Sequence, residues 1–451
     1  MVRCEAAVSR RKMLVACPAA VLAAPVLQAC GPLGGRAADQ PAPGGPKKVL
    51  TFSSYTFSGY EEAMRQMLRL FEQENPSVEV KAEFGGDDYW TKVQTQMASD
   101  TTPDTGIAEY NRTVSFAKLG GLLPLDDLIA RDRYPMDQFL PAGVAQYRWR
   151  AGDFNSGGQG GKQYGLPSDA QGFIFAYNKS LFDRAGVAHP TDSWTWNDLL
   201  AAARRLTRPE EDKWGVAMPG LGTLNRGNFV YAAGGNPIAP DYKKSGLDTT
   251  ETIAAYKWAW DLTFTHRVAP PPGTGGPAHP FASGRVAMYF DGVWYIGDFL
   301  KIRTDFDWDL AMFPKHPTTG KRTTSLESDG WWIYRATKER DLAWRFLKFL
   351  AGESGQRKFS ELEFIVPPSI PKIAREWYAR KPPEHRSKAL DNLTQDARPV
   401  SITYFEAGPI VSAYNRVLQR AFRDGEDLVA TMKEAAQVMN QELTRAWQKF
   451  A

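Results

Sequence analysis

Carboxylates and aromatic rings are the chemistry this sequence offers, rather than thiols or imidazole clusters. Its three cysteines, Cys4, Cys17 and Cys30, all lie in the first thirty positions. The rest of the chain therefore has no disulfide framework, no zinc–thiolate site and no cysteine nucleophile. The five histidines are scattered, and His189, His279 and His316 each precede a proline, which marks loops. Gly157-Gly158-Gln159-Gly160-Gly161-Lys162 has the look of a phosphate loop, but Ser156 stands where its first glycine belongs and Gln163 replaces the serine or threonine. What remains is a set of acids, Asp169, Asp291, Glu327 and Asp329, in a chain with 14 Trp, 17 Tyr and 24 Phe. Two acids about 5 to 9.5 Å apart in a tryptophan-rich cleft would suit glycoside hydrolysis. Nothing in the sequence pairs them.

Groups of this kind need elements that bring them together, and the pattern is α/β. Residues 47–53 form a β-rich run. Residues 60–75 carry Met64, Met67, Leu68 and Phe71 at helical spacing and stop at Asn75-Pro76, after which 78–82 alternate like a strand. A βαβ order predicts a parallel sheet covered by helices. The spacing continues with a helix over 89–99, a strand over 105–109 and a helix over 114–119 stopped by Gly120-Gly121. Beyond the Gly-, Asn-, Ser- and Gln-rich stretch at 150–162, a second α/β unit begins with strands at 164–167 and 172–178. A helix over 196–206, capped by Thr195, leads to a strand over 214–218. Residues 286–290, 309–312 and 331–334 read as further strands, and helices over 339–351, 410–422 and 428–450 close the chain.

The leader reads differently. Ser9-Arg10-Arg11-Lys12-Met13-Leu14 opens an apolar stretch that ends in Leu27-Gln28-Ala29-Cys30, similar to a bacterial twin-arginine export signal closed by a lipobox. Met13 and Gln28 depart from the commonest forms of the two motifs. The expectation is a signal peptide over 1–29, a lipid on Cys30, and a flexible Gly-, Ala- and Pro-rich linker over 30–46. The leader holds Arg3, Arg10, Arg11 and Lys12 against Glu5, so only +1 of the formal +4 belongs to the remainder. A near-neutral body is no footprint for nucleic acid. No later stretch reads as a membrane span, since 286–302 is broken by Asp291 and Asp298.

Several short strings share an order and spacing. They are Phe71-Glu72-Gln73-Glu74-Asn75-Pro76, Pro103-Asp104, Phe116-Ala117-Lys118-Leu119-Gly120-Gly121-Leu122-Leu123-Pro124-Leu125 and Tyr177-Asn178-Lys179-Ser180-Leu181-Phe182. Trp194-Thr195-Trp196-Asn197-Asp198-Leu199 and Gly284-Arg285-Val286-Ala287-Met288 follow, the latter leading to Asp291-Gly292-Val293-Trp294. Together they resemble the extracellular solute-binding proteins of ABC importers, in particular the sugar-binding group that includes maltose-binding protein. The resemblance implies an α/β, two-lobed periplasmic-binding-protein-like fold of type II, each lobe a mainly parallel sheet flanked by helices, joined by a hinge. On that basis lobe 1 is expected over 47–146 plus 306–350 and lobe 2 over 147–305 plus 351–451.

It also implies a carbohydrate ligand held in the cleft, delivery to the transmembrane subunits of a permease, a monomer touching the membrane only through its lipid, no cofactor and no metal. A sugar shows hydroxyls at its rim and an apolar C–H face, so its site needs planar polar groups beside aromatic platforms. Trp294 resembles the family position where an aromatic stacks on sugar. Trp331 is expected as a second platform, with adjacent Trp332 sent to the core by alternation. Tyr110 and Asn111, with Arg112 beside them, resemble a stretch that supplies polar contacts, and Asp169 and Gln171 fall where the family often has a carboxylate or amide. Tyr55 and Asn228 complete the expected ligand-binding set, with Tyr404 and Phe364 as outer candidates. The alternatives are a secreted glycoside hydrolase and a binder of a non-sugar solute.

Overall fold

Strands covered on both faces are buried throughout, and the computed structural model of this chain is organised around one such strand, Asp329–Ile333, with a burial pattern of five consecutive buried residues. The structure describes residues 46–56, 60–86, 88–157, 160–217, 219–274, 279–301, 306–362 and 366–451. The leader, Cys30, the linker up to Gly45, Met218 and Phe364 lie outside the described residues.

The first sheet has the strand order Val78–Gly85, Lys48–Tyr55, Thr105–Glu109, Asp329–Ile333, Leu166–Pro167. Its first three strands are parallel, as the βαβ pattern requires, while Asp329–Ile333 runs antiparallel to both of its neighbours. The helix Tyr60–Glu74 turns Met64, Met67, Leu68 and Phe71 inward, the stripe set by its spacing. Because Asp329–Ile333 is interior, both of its tryptophans are buried. Trp331 packs beside Phe52, ring centroids 6.2 Å apart, and Trp332 meets Phe116 edge-on at 5.2 Å in the layer behind. Trp331 is thus a core side chain rather than an exposed platform, because helices cover both faces of the sheet.

The second sheet has the order Met288–Gly292, Phe173–Asn178, Trp308–Ala311, and both pairings are antiparallel. The mainly parallel sheet expected for this lobe is replaced by these antiparallel pairings, with parallel contact left to isolated bridges such as Trp214↔Val286 and Thr195↔Lys315 and to the short pair Thr324–Leu326 and Ala397–Pro399. Its outer strands arrive after long excursions rather than through a βαβ crossover, so nothing imposes parallel pairing. Residues 308–311 belong to this sheet, which corrects their expected place with the first lobe. The helix Trp196–Leu206 starts with a capping box between Thr195 and Asp198, worth about 1 kcal/mol. The closing helices Ala407–Asp424 and Leu428–Phe450 pack together, and the last one ends in an aromatic clasp. Phe154 stacks on Trp447 with centroids 4.2 Å apart, and the Lys118 ammonium lies 4.4 Å over the Phe450 ring.

Between the sheets, the segments around residues 166–173, 324–330 and 366–370 cross side by side. Ser168 N–H donates to the Asp329 carbonyl at 2.7 Å, Gln171 and Glu327 exchange N–H···O bonds at 2.8 and 2.9 Å, and Ala170 N–H donates to Pro367 at 2.9 Å. The ladder of the first sheet therefore continues unbroken through the crossing. Replacing Trp332, which is fully buried, by alanine is expected to cost about 3–5 kcal/mol. Urea unfolding measures this, and a variant as stable as the parent would refute its place in the core.

Candidate functional site

Side chains alternate across a strand. Positions 169 and 171 on one crossing strand and 327 and 329 on its antiparallel neighbour, paired at Gln171↔Glu327, therefore share one face. Asp169, Gln171, Glu327 and Asp329 are all buried there, none more than 8% exposed. Gln171 Nε2 donates to Asp169 Oδ1 at 3.1 Å and to Asp329 Oδ2 at 3.3 Å. Asp169 also accepts from Ser168 Oγ at 2.8 Å and from the Asp329 N–H at 2.9 Å. On the opposite face Ser328 Oγ donates to the Asp169 carbonyl at 2.7 Å. The Tyr147 hydroxyl donates to the Ser328 carbonyl, and the Tyr147 ring lies so close to Gly330 that a Cβ there would sit 2.4 Å from it.

The carboxyl ends of parallel strands open onto this face, where α/β sheets present their ligand sites. Tyr55, the last residue of Lys48–Tyr55, donates its hydroxyl to Asp329. Tyr110 follows Thr105–Glu109 and faces Arg226 and Glu327. Arg226, just past the short helix Leu221–Asn225 of the other lobe, pairs with Glu327, and its guanidinium lies 6.0 Å from the Phe173 ring centroid. The same ring receives Trp294 edge-on at 5.6 Å. Gly292 makes this possible, since a Cβ on it would lie 2.1 Å from the indole. Trp294 and Tyr55 each pack against the same two hydrophobic clusters of the chain. Beside them Arg112 lies 4.0 Å from Glu109 and 4.7 Å over Trp90, and Asn111 Oδ1 is a buried acceptor without a protein partner. Asp291 accepts from Tyr289 Oη at 2.8 Å and from the Gly292 N–H at 2.7 Å.

The structure thus gathers Tyr55, Tyr110, Asp169, Gln171 and Trp294 around one interlobe face, with Asn111 at its margin. Trp331, on the same strand face as Asp329, is buried in the core and lines one cavity with Asp169 and Asp329. Asn228 is not a cleft residue: fully buried, it accepts the Ser325 N–H at 2.6 Å and donates to the Thr223 carbonyl at 3.2 Å, fastening its helix to a crossing strand. Tyr404 is buried and stacked 6.2 Å from Phe154. Sequence reasoning missed Arg226 and Glu109, and it weighed Glu327 and Asp329 only as hydrolytic acids. The repeated acid-x-polar pattern, Asp169-x-Gln171 and Glu327-x-Asp329, was the available signal for the shared face.

Burial governs the electrostatics. It pushes the Asp169 carboxyl up to about 7 against its hydrogen bonds, and it raises Asp329 well above the carboxylate range, with the charge of Asp169 adding to the effect. Glu327 is raised by burial while Arg226 opposes the shift. Burial and then Asp329 raise the Tyr55 phenol. The face is therefore rich in acceptors that keep protons until something else donates to them. Because folding raises Asp169 from 3.8 to about 7, its contribution to stability is complete below pH 4 and lost as pH rises through 7. Asp169→Asn is expected to flatten the fall in melting temperature between pH 5 and pH 8. An unchanged slope would refute a proton held at this position.

A family model described as bacterial extracellular solute-binding protein matches residues 57–357. A binding protein of Brucella abortus (strain 2308) is 25% identical over 404 residues, 86% of this chain and 90% of its own length. The erythritol/L-threitol-binding protein of Mycolicibacterium smegmatis is 25% identical over 402 residues, 78% of this chain and 79% of its own. Among solved structures, an ABC substrate-binding protein from Listeria monocytogenes in complex with cycloalternan superposes with a TM-score of 0.77 at 22% identity, covering 88% of this chain and 99% of that one. At that identity the likeness establishes the fold, a two-lobed type II periplasmic binding protein.

Proposed function

The chain belongs to the bacterial extracellular solute-binding proteins, a family of binders and not of enzymes, and from that premise we propose that it captures a carbohydrate or related polyol between its lobes and hands it to the permease of an ABC importer. One observation carries this reading: the aromatic rings of Trp294 and Tyr55 flank an acceptor-lined strand face built from both lobes and the segments that join them. Aromatic faces suit the C–H side of a sugar, and carboxylate and amide oxygens suit its hydroxyls. The relatives named for erythritol or L-threitol and the structure holding cycloalternan support a polyhydroxylated ligand, from a small polyol to a cyclic oligosaccharide.

The ligand meets groups from both lobes only when the cleft is closed, and this difference in contact shifts the population toward the closed state. In this reading Cys30 carries a lipid and residues 30–46 form the tether that keeps the monomer near its permease, raising its effective concentration there. Among the described residues no helix is long and apolar enough to cross a membrane.

A thermal-shift screen against polyols, monosaccharides and oligosaccharides is expected to give a saturable stabilisation by at least one of them. A flat response across the whole panel would remove the carbohydrate reading. With the ligand in hand, Trp294→Ala is expected to weaken binding by about 1–3 kcal/mol by calorimetry, and unchanged affinity in a folded variant would take Trp294 out of the site.

A further inference from the structure

We propose that the solute carries a basic nitrogen, so that the cleft takes an aminated sugar or polyol and refuses an anionic one; the inference rests on the carbohydrate reading above. The argument begins with a count of charges facing the site. Four acids, Glu109, Asp169, Glu327 and Asp329, stand against two cations, Arg112 and Arg226. Arg226 pairs with Glu327, and Arg112 lies 4.0 Å from Glu109 and over the Trp90 ring. Asp169 and Asp329 make no ion pair among the described residues, and their hydrogen bonds come from neutral donors. Gln171 Nε2, Ser168 Oγ and the Asp329 N–H serve Asp169; Gln171 Nε2 and the Tyr55 hydroxyl serve Asp329. Neutral donors do not balance the charge of buried carboxylates, and burying unpaired charge is costly.

The same bonds use up the donors. Gln171 needs its amide hydrogens for the two aspartates, which leaves its Oε1 as one more acceptor on the face. A sugar hydroxyl both gives and accepts a hydrogen bond, whereas an ammonium only gives. Ionised Asp169 and Asp329, held on either side of one amide nitrogen, present their oxygens to a common donor. A ligand ammonium would take the place of the proton that the empty pair retains, and no bond is made or broken beyond that exchange. The rings of Trp294 and Tyr55 add electron-rich faces that attract a cation. A phosphate or carboxylate on the solute would meet Asp169 and Asp329, two acids without counter-ions among the described residues.

Matched triplets test this by calorimetry at pH 7.5: D-glucosamine, D-glucose and D-glucuronate; D-galactosamine, D-galactose and D-galacturonate; and fully deacetylated chitosan dimers to tetramers beside the corresponding cello-oligosaccharides. In at least one set the amine is expected to bind about tenfold or more tightly than its neutral parent, and the uronates to give no heat. In the Asp329→Asn variant the amine-to-neutral ratio is expected to fall to about unity, whatever the absolute affinities. A neutral or acidic sugar that binds as well as its amine counterpart would overturn the charge preference and leave the carbohydrate reading standing. Silence across the whole panel would remove both. A ratio unchanged in Asp329→Asn and in Asp169→Asn would also overturn the inference. Should either variant fail to fold, the ratio measured in the unsubstituted protein decides.

Discussion

The hydrogen-bonded ladder between the crossing strands is the constraint from which the rest follows. It begins inside the first sheet, where Gly330 pairs with Pro167, and runs on to Gln171 and Glu327 between the lobes. Strand alternation then sets four polar side chains on one face without help from any loop. The strands that permit the lobes to move are therefore also the floor of the site. Tyr55 and Tyr110 approach that floor from one lobe, and Arg226 and Trp294 from the other.

That arrangement concentrates electrostatic strain where function is. Three acids, Asp169, Glu327 and Asp329, are buried on one face of the paired crossing strands, and an ion pair of Arg226 with Glu327 offsets one of them. Replacing the acids by apolar residues would relieve the desolvation cost but erase the acceptors. The rest of the chain shows the opposite habit, with ion pairs such as Arg65–Glu61 and Arg357–Glu376 lying at the surface, where their contribution is small. Stability comes instead from apolar layers such as the one between Phe52, Phe71 and Phe346.

Much of this was legible in the residues. The helices Tyr60–Glu74 and Leu428–Phe450 follow their apolar periodicity almost to the residue, and Asn75-Pro76 ends the first of them as expected. The two-lobed α/β fold followed from the order of short strings. Strand direction in the second lobe was not legible, because alternation reports which face is buried but not which way a neighbour runs. Trp331 and Trp332 misled for a related reason: adjacent rings imply an inside and an outside only when one face of the strand is open. Asn228 shows the limit from the other side, since a polar residue beside a cleft can equally be a brace for backbone. Arg226 had no periodic signal at all, standing at the end of a helix only five residues long.

The aromatic clasp at the chain's end has a thermal consequence. Phe154, Trp447 and Phe450 hold together by apolar burial, an interaction that weakens on cooling, whereas backbone hydrogen bonds do not share that dependence. The ladder and the clasp therefore respond to cold in different ways. Cooling thus weakens the hold of the last helix on the segment around Phe154 relative to the ladder of the crossing strands.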